Sequence, residues 1–153
     1  MRGLTTLMAA VALSSGLIAG AGPAVAAGGD STPRITELTE AQAAIDKRDF
    51  QSAVPLLQAA LAKAPDNADA WNLMGFAYRK LGKINKALEF YQKALTIDRD
   101  HRGALEYLGE LYLETGRADD AKKMLARLDK ACFFGCAEYD ELKQKLKAAK
   151  VVN

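Results

Sequence analysis

Small and apolar residues recur along this chain with a long period laid over a helical one. Ala53, Ala87 and Ala121 stand 34 residues apart, each amid apolar positions at three- and four-residue spacing. Around the middle alanine the chain reads Trp71-Asn72-Leu73-Met74-Gly75-Phe76-Ala77-Tyr78, followed by Tyr91 and Ala94. Leu105, Leu108, Gly109, Tyr112 and Leu125 keep that register one period later. Ala41, Ala44, Leu57, Ala60 and Pro65 keep it more loosely one period earlier. The pattern predicts an all-α chain without a sheet: three antiparallel helix pairs and a closing helix, seven helices in all. A unit of this length cannot bury its apolar face alone, so the pairs must stack.

Punctuation supports that division. Gly75 and Gly109 fall in mid-helix, where glycine costs about 1 kcal/mol relative to alanine. They predict crossings too close for a Cβ, with the three alanines doing the same on each second helix and Tyr78 or Tyr112 filling the space beside them. Asp66 and Asp100 stand where N-caps are expected. Gly82 and Gly116 fall between paired helices, where a left-handed residue ends the first of each pair; Arg48 takes that place in the first pair. Pro55, inside the second helix of the first pair, should cost little if it lies near the first turn. Tyr139, Leu142 and Leu146, among Lys143, Lys145, Lys147 and Lys150, predict an amphipathic closing helix.

The residues around Ala87 resemble the tetratricopeptide repeat, with its W-x2-L-G-x2-Y and A-x3-F signature and a late proline. Met74, Tyr91 and Arg99 depart from the usual Leu, Phe and Pro. The resemblance covers about residues 34 to 135 and implies an α-α superhelix. The implied organisation is repeat one at 34–67, repeat two at 68–101, repeat three at 102–135 and a capping helix at 136–153. In this family the first helices line a concave groove that takes peptides. The corresponding positions are Leu38, Gln42 and Ile45, then Asn72, Phe76, Arg79 and Lys80, then Glu106, Glu110, Leu113 and Glu114. The Lys and Asn clamp that chaperone-binding members use for a terminal carboxylate is missing, because Leu38, Gln42 and Leu73 stand at three of its places. Two readings of Glu106, Glu110 and Glu114 remain open: partner contact, or an exposed stripe paired with Arg79 and Lys80.

Composition places this fold in a compartment. From Met1 to Ala26 the only charge is Arg2; Leu7 to Leu13 is apolar, and Ala24-Val25-Ala26 suits signal peptidase. We expect a signal peptide at 1–26, cleavage near Ala26, a disordered segment at 27–33, and a soluble product outside the cytoplasm, in the periplasm. Lys and Arg total 21 against 19 Asp and Glu, so losing Arg2 takes the net charge from +2 to about +1. That balance removes the basis for broad nucleic-acid or anionic-membrane binding.

Catalytic chemistry has little to start from. His101, the single histidine, falls at a junction expected to be exposed, with nothing to orient it as a base. Carboxylate pairs such as Glu106 and Glu110 read as ordinary helix surface. We therefore expect no enzyme, no cofactor and no metal. Cys132 and Cys136 form a C-x3-C spacing unlike a thioredoxin-type or zinc site. In an oxidising compartment that leaves a structural disulfide, worth ~2 kcal/mol in loop closure, or a reversible redox pair. Phe133 and Phe134 are expected to pack beneath the closing helix. The functional expectation is a protein-interaction scaffold of the cell envelope binding a protein or peptide in the groove. The alternatives are an assembly or chaperone-like subunit, for cytochrome maturation or outer-membrane assembly, and a self-associating structural protein.

Overall fold

The computed structural model describes residues 36–152. The expected leader at 1–26 and the segment at 27–33 lie outside the described residues. Seven helices follow in order: α1 (Thr36–Asp46), α2 (Phe50–Lys63), α3 (Ala68–Lys80), α4 (Ile84–Ile97), α5 (Arg102–Glu114), α6 (Ala118–Ala131) and α7 (Ala137–Ala148). No strand occurs among the described residues. The helices pair as α1·α2, α3·α4 and α5·α6, and α7 packs on α5 and α6, giving the stacked solenoid that the period predicts.

One turn recurs three times at pair junctions. A left-handed residue ends the first helix, and the next amide reaches back five residues: Lys83 to Tyr78, Arg117 to Tyr112, Asp49 to Ala44, at 2.7–2.9 Å. Gly82 and Gly116 supply the left-handed residue at φ 74° and 75°. Arg48 adopts it at φ 61°, where its Cβ crowds the backbone. The first helices start one residue later than expected. Asn67, not Asp66, caps α3 by accepting from the Ala70 amide at 2.8 Å. His101, not Asp100, caps α5, its Nδ1 accepting from the Ala104 amide at 3.1 Å. Pro55 lies inside α2 as expected, as its sixth residue and so beyond the first turn, and the helix runs on with one hydrogen bond missing.

Close approach explains the helical glycines. A Cβ on Gly75 would lie 2.6 Å from Cδ1 of Tyr91, and one on Gly109 would lie 2.5 Å from Cδ2 of Leu142. Tyr91 and Leu142 are therefore the side chains that close over the two glycines. Ala53, Ala87 and Ala121 are all fully buried. Apolar residues gather in two clusters, one across α1 to α3 and one from α4 to α7. Trp71 is half-buried between them; it stacks on Phe90 at 5.7 Å and donates Nε1–H to the Pro65 carbonyl at 2.8 Å.

The closing helix buries Leu142 and Leu146 completely against the last pair, as its pattern predicts. The connection before it differs from expectation. Cys132 and Cys136 have their sulfurs at disulfide distance, 1.99 Å, and their Cα atoms 5.6 Å apart. Phe133 and Phe134, at the apex of that ring, are 87% and 95% exposed rather than packed beneath α7. The physical reason is local: the Gly135 amide bonds the Cys132 carbonyl at 2.9 Å, with Gly135 at φ 85°, so the apex turns outward. The space beneath the helix already belongs to Leu142 and Leu146.

Candidate functional site

The first helices of each pair share one face, and their side chains there build a concave surface. Two adjoining depressions, of about 520 and 660 Å³, occupy it. Both are lined by Gln42, Asp46, Asn72, Leu73, Gly103 and Glu138; Ile45, Arg48, Phe50, Phe76, Lys80, Glu106 and Tyr107 line the first as well, and Leu38, Asp69 and His101 border the second. Phe76 sits at the centre of an aromatic row. Its ring lies 6.0 Å from that of Phe50 and 5.0 Å from that of Tyr107, with Lys80 Nζ 5.0 Å above it. Phe76 therefore packs against the first cluster as well as lining the cleft.

The expectation that Glu106 and Glu110 are ordinary helix surface fails. They are 4% and 6% exposed, and with Asn72 (6%) and Arg79 (7%) they are the buried polar residues of the described chain. All four lie on α3 and α5. Arg79 clamps the two helices together: Nε and Nη2 donate to the Glu114 carboxylate at 2.9 and 2.5 Å, and Nη1 stands 2.6 Å from Glu110. Burial opposes the charge on Arg79, but Glu114 outweighs it and the guanidinium is held more firmly charged than usual. Glu110 also pairs with Lys145 of α7. Lys80 forms no ion pair in this network, contrary to the stripe reading, and only Glu114 of the three carboxylates is exposed. Leu113 packs against the second cluster.

The remaining carboxyl behaves differently. Burial, then Glu141 close beside it, pushes Glu106 up to about 7. Its Oε1 is buried without a hydrogen-bond partner, as is Oδ1 of Asn72. His101 is half-buried rather than exposed; its Nε2 meets Asp69 Oδ1 at 2.9 Å while Nδ1 caps α5. That arrangement spends both ring nitrogens on structure.

Of the groove residues expected from sequence, Leu38, Gln42, Ile45, Asn72, Phe76, Lys80 and Glu106 come together around the depressions. Arg79, Glu110 and Leu113 lie elsewhere, in the ion network or against the core. Sequence reasoning missed Phe50, Tyr107 and Gly103. Gly103 carried a usable signal: a glycine in the first turn of α5, where a Cβ would meet Asn72 Nδ2 at 3.1 Å, marks close approach of α3.

Comparison with known proteins agrees with this geometry. Residues 68–101 match the family model of the tetratricopeptide repeat. Protein CTR9 homolog of Arabidopsis thaliana is 41% identical over 68 residues, 43% of this chain; the chain spans about 6% of that protein's length. Three solved structures are similar in fold. The Sgt2 TPR domain from Aspergillus fumigatus superposes with a TM-score of 0.66 at 24% identity, over 78% of this chain and 83% of that one. The Yersinia enterocolitica type III secretion chaperone SycD, in complex with a peptide of the translocator YopD, gives 0.65 at 14%, over 76% and 89%. The first TPR of Spaghetti (RPAP3), bound to the HSP90 peptide SRMEEVD, gives 0.66 at 16%, over 76% and 92%. Residues 68–101, spanning α3 and α4, thus match a tetratricopeptide repeat, and with the same pair geometry in α1–α2 and α5–α6 the chain has the superhelical fold of tetratricopeptide-repeat proteins.

Proposed function

We propose that this chain is a non-enzymatic protein-interaction module of the cell envelope, whose concave surface takes an extended or helical segment of a partner. The observation that carries the reading is the aromatic cleft. Phe76, flanked by Phe50 and Tyr107, borders an open depression of about 520 Å³ with polar groups around it, the composition of a recognition pocket. Two chains of the same fold hold peptides, SycD and the Spaghetti domain. The expected leader supports the envelope, and no helix among the described residues is long and apolar enough to cross a membrane.

Phe76→Ala tests the cleft. Truncating a central aromatic anchor removes about 2 kcal/mol or more of binding free energy. The variant should bind the segment captured from envelope extracts at least about tenfold more weakly. Its melting temperature should fall too, because the ring packs on Phe50 and Tyr107, so binding is measured well below the variant's own transition. Unchanged affinity would contradict the proposal.

A further inference from the structure

Charge around Glu106 does not balance as it does around its neighbours. Arg79 is committed to Glu110 and Glu114, and Lys145 to Glu110. The acidic groups bearing on Glu106 are Glu138 and Glu141, both from α7. A buried carboxyl thus sits among further carboxyls, with Lys145 the cation that bears on it. Lys80, which pairs with no carboxylate among the described residues, lies instead over the Phe76 ring at 5.0 Å, and Arg48 lines the cavity rim. Beside it on the cavity floor is Asn72, 6% exposed, with its amide oxygen unpartnered. Buried acceptors left without a donor are costly, so two at one site is an arrangement that favours a donor from outside. The walls at this point are Phe76 and Tyr107, whose ring faces attract cations.

We infer that the floor formed by Asn72 and Glu106 is a receptor for a cationic side chain, a lysine or arginine of the partner segment seated between Phe76 and Tyr107. The inference rests on the proposed groove function and specifies its ligand chemistry. A carboxylate-bearing terminus is the wrong charge for this floor. The free site is kept near neutral because Glu106, raised to about 7, shares its surroundings with Glu141 and holds a proton through much of the neutral range. When an ammonium or guanidinium enters, the Glu106 proton leaves to solvent and an ion pair replaces the neutral acid. Binding therefore tightens as pH rises through about 7.

The test uses four acetylated and amidated heptapeptides that differ only at the central residue: lysine, arginine, glutamine or glutamate. Amide chemical shifts and calorimetry are followed on the mature protein. The lysine and arginine probes should perturb positions 72, 76, 103, 106 and 107 and bind at least about tenfold more tightly than the other two. Wild-type affinity for the lysine probe should rise between pH 6 and pH 8 with proton release. Glu106→Gln should lose that affinity and its pH dependence while its melting temperature stays within a few degrees. Equal binding of the glutamate probe, full affinity in Glu106→Gln, or no binding of any probe at millimolar concentration overturns the inference. Binding at the cavity without preference for a positive centre defeats this inference alone. Partner contacts confined to the outer surface defeat the groove reading itself.

Discussion

Positions related by the 34-residue period fall into two groups with opposite behaviour. In the interior the residue type persists: Ala53, Ala87 and Ala121 are one such row, and Ala41, Gly75 and Gly109 another. At the other first-helix positions, those of the concave face and the ion network beside it, nothing persists. Leu38, Asn72 and Glu106 are one row; Gln42, Phe76 and Glu110 are the next; Ile45, Arg79 and Leu113 follow. The interior repeats because the same helix crossing is made in each pair, and a crossing at contact distance admits only a small residue. These positions do not share that constraint, and they include all four buried polar residues of the described chain, of which Asn72 and Glu106 line the concave depressions and Arg79 and Glu110 form the ion network beside them. Repetition marks the scaffold; departure from it marks the surface where each pair does something of its own.

The interior half of that contrast predicts a strong coupling. Leu142→Ala should cost about 2–5 kcal/mol in denaturant unfolding, because Leu142 is fully buried over Gly109. Gly109→Ala alone should destabilise, since its methyl meets Leu142 Cδ2 at 2.5 Å. Added to Leu142→Ala, the same methyl keeps only its 3.2 Å approach to Met124 Cβ, and about 1 kcal/mol of helix propensity offsets that, so its cost should shrink by more than about 1 kcal/mol. An equal loss from Gly109→Ala in both backgrounds would mean that the glycine serves something other than that crossing.

Among the non-repeating positions the strongest single effect should come from Arg79→Met. It leaves Glu110 buried with Lys145 as its one remaining partner and releases the exposed Glu114 to water, which should cost about 3 kcal/mol, mostly through Glu110. A loss below about 1 kcal/mol would mean that the clamp is decorative.

A smaller effect is expected from Glu106, with a definite direction. Its folded value, about 7, lies above its ordinary value of 4.5. Its contribution to stability is therefore fully present below about pH 4.5 and is lost as pH rises to about 7. The difference in unfolding free energy between wild type and Glu106→Gln should shift by the order of 1 kcal/mol across that window, after allowance for screening. Carboxylates held low by partners, such as Glu114, titrate alike in both proteins and cancel in the difference. A flat difference curve would contradict the burial and the Glu141 contact as causes.

The smallest effect belongs to the outward ring. Replacing Phe133 and Phe134 with serine should change stability by less than about 0.5 kcal/mol, since neither ring is packed against the core. A large loss would restore the expectation that they support the closing helix.

How much of this was legible in the sequence follows the same division. The pairs, the left-handed turns at Gly82 and Gly116, and the closing-helix leucines were readable because each is enforced by backbone geometry or by a repeated contact. The caps were misplaced by one residue because Asp66 and Asn67 are both good caps, and only the helix start decides between them. Phe133 and Phe134 were misread because hydrophobicity says nothing about which way a short ring turns. Glu106 and Glu110 were misread for a different reason. Carboxylates at four-residue spacing look like solvated surface until the neighbouring helices α3 and α7 are in place to cover them.

The central claim, that the concave face is the working surface, is most directly tested by site-specific photo-crosslinking in cells. Gln42 and Gln92 are both exposed, the first in the cleft and the second on α4. A photoreactive residue at 42 should yield a discrete partner adduct that Phe76→Ala diminishes, and the same residue at 92 should not. Adducts from 92 with none from 42 would contradict the account.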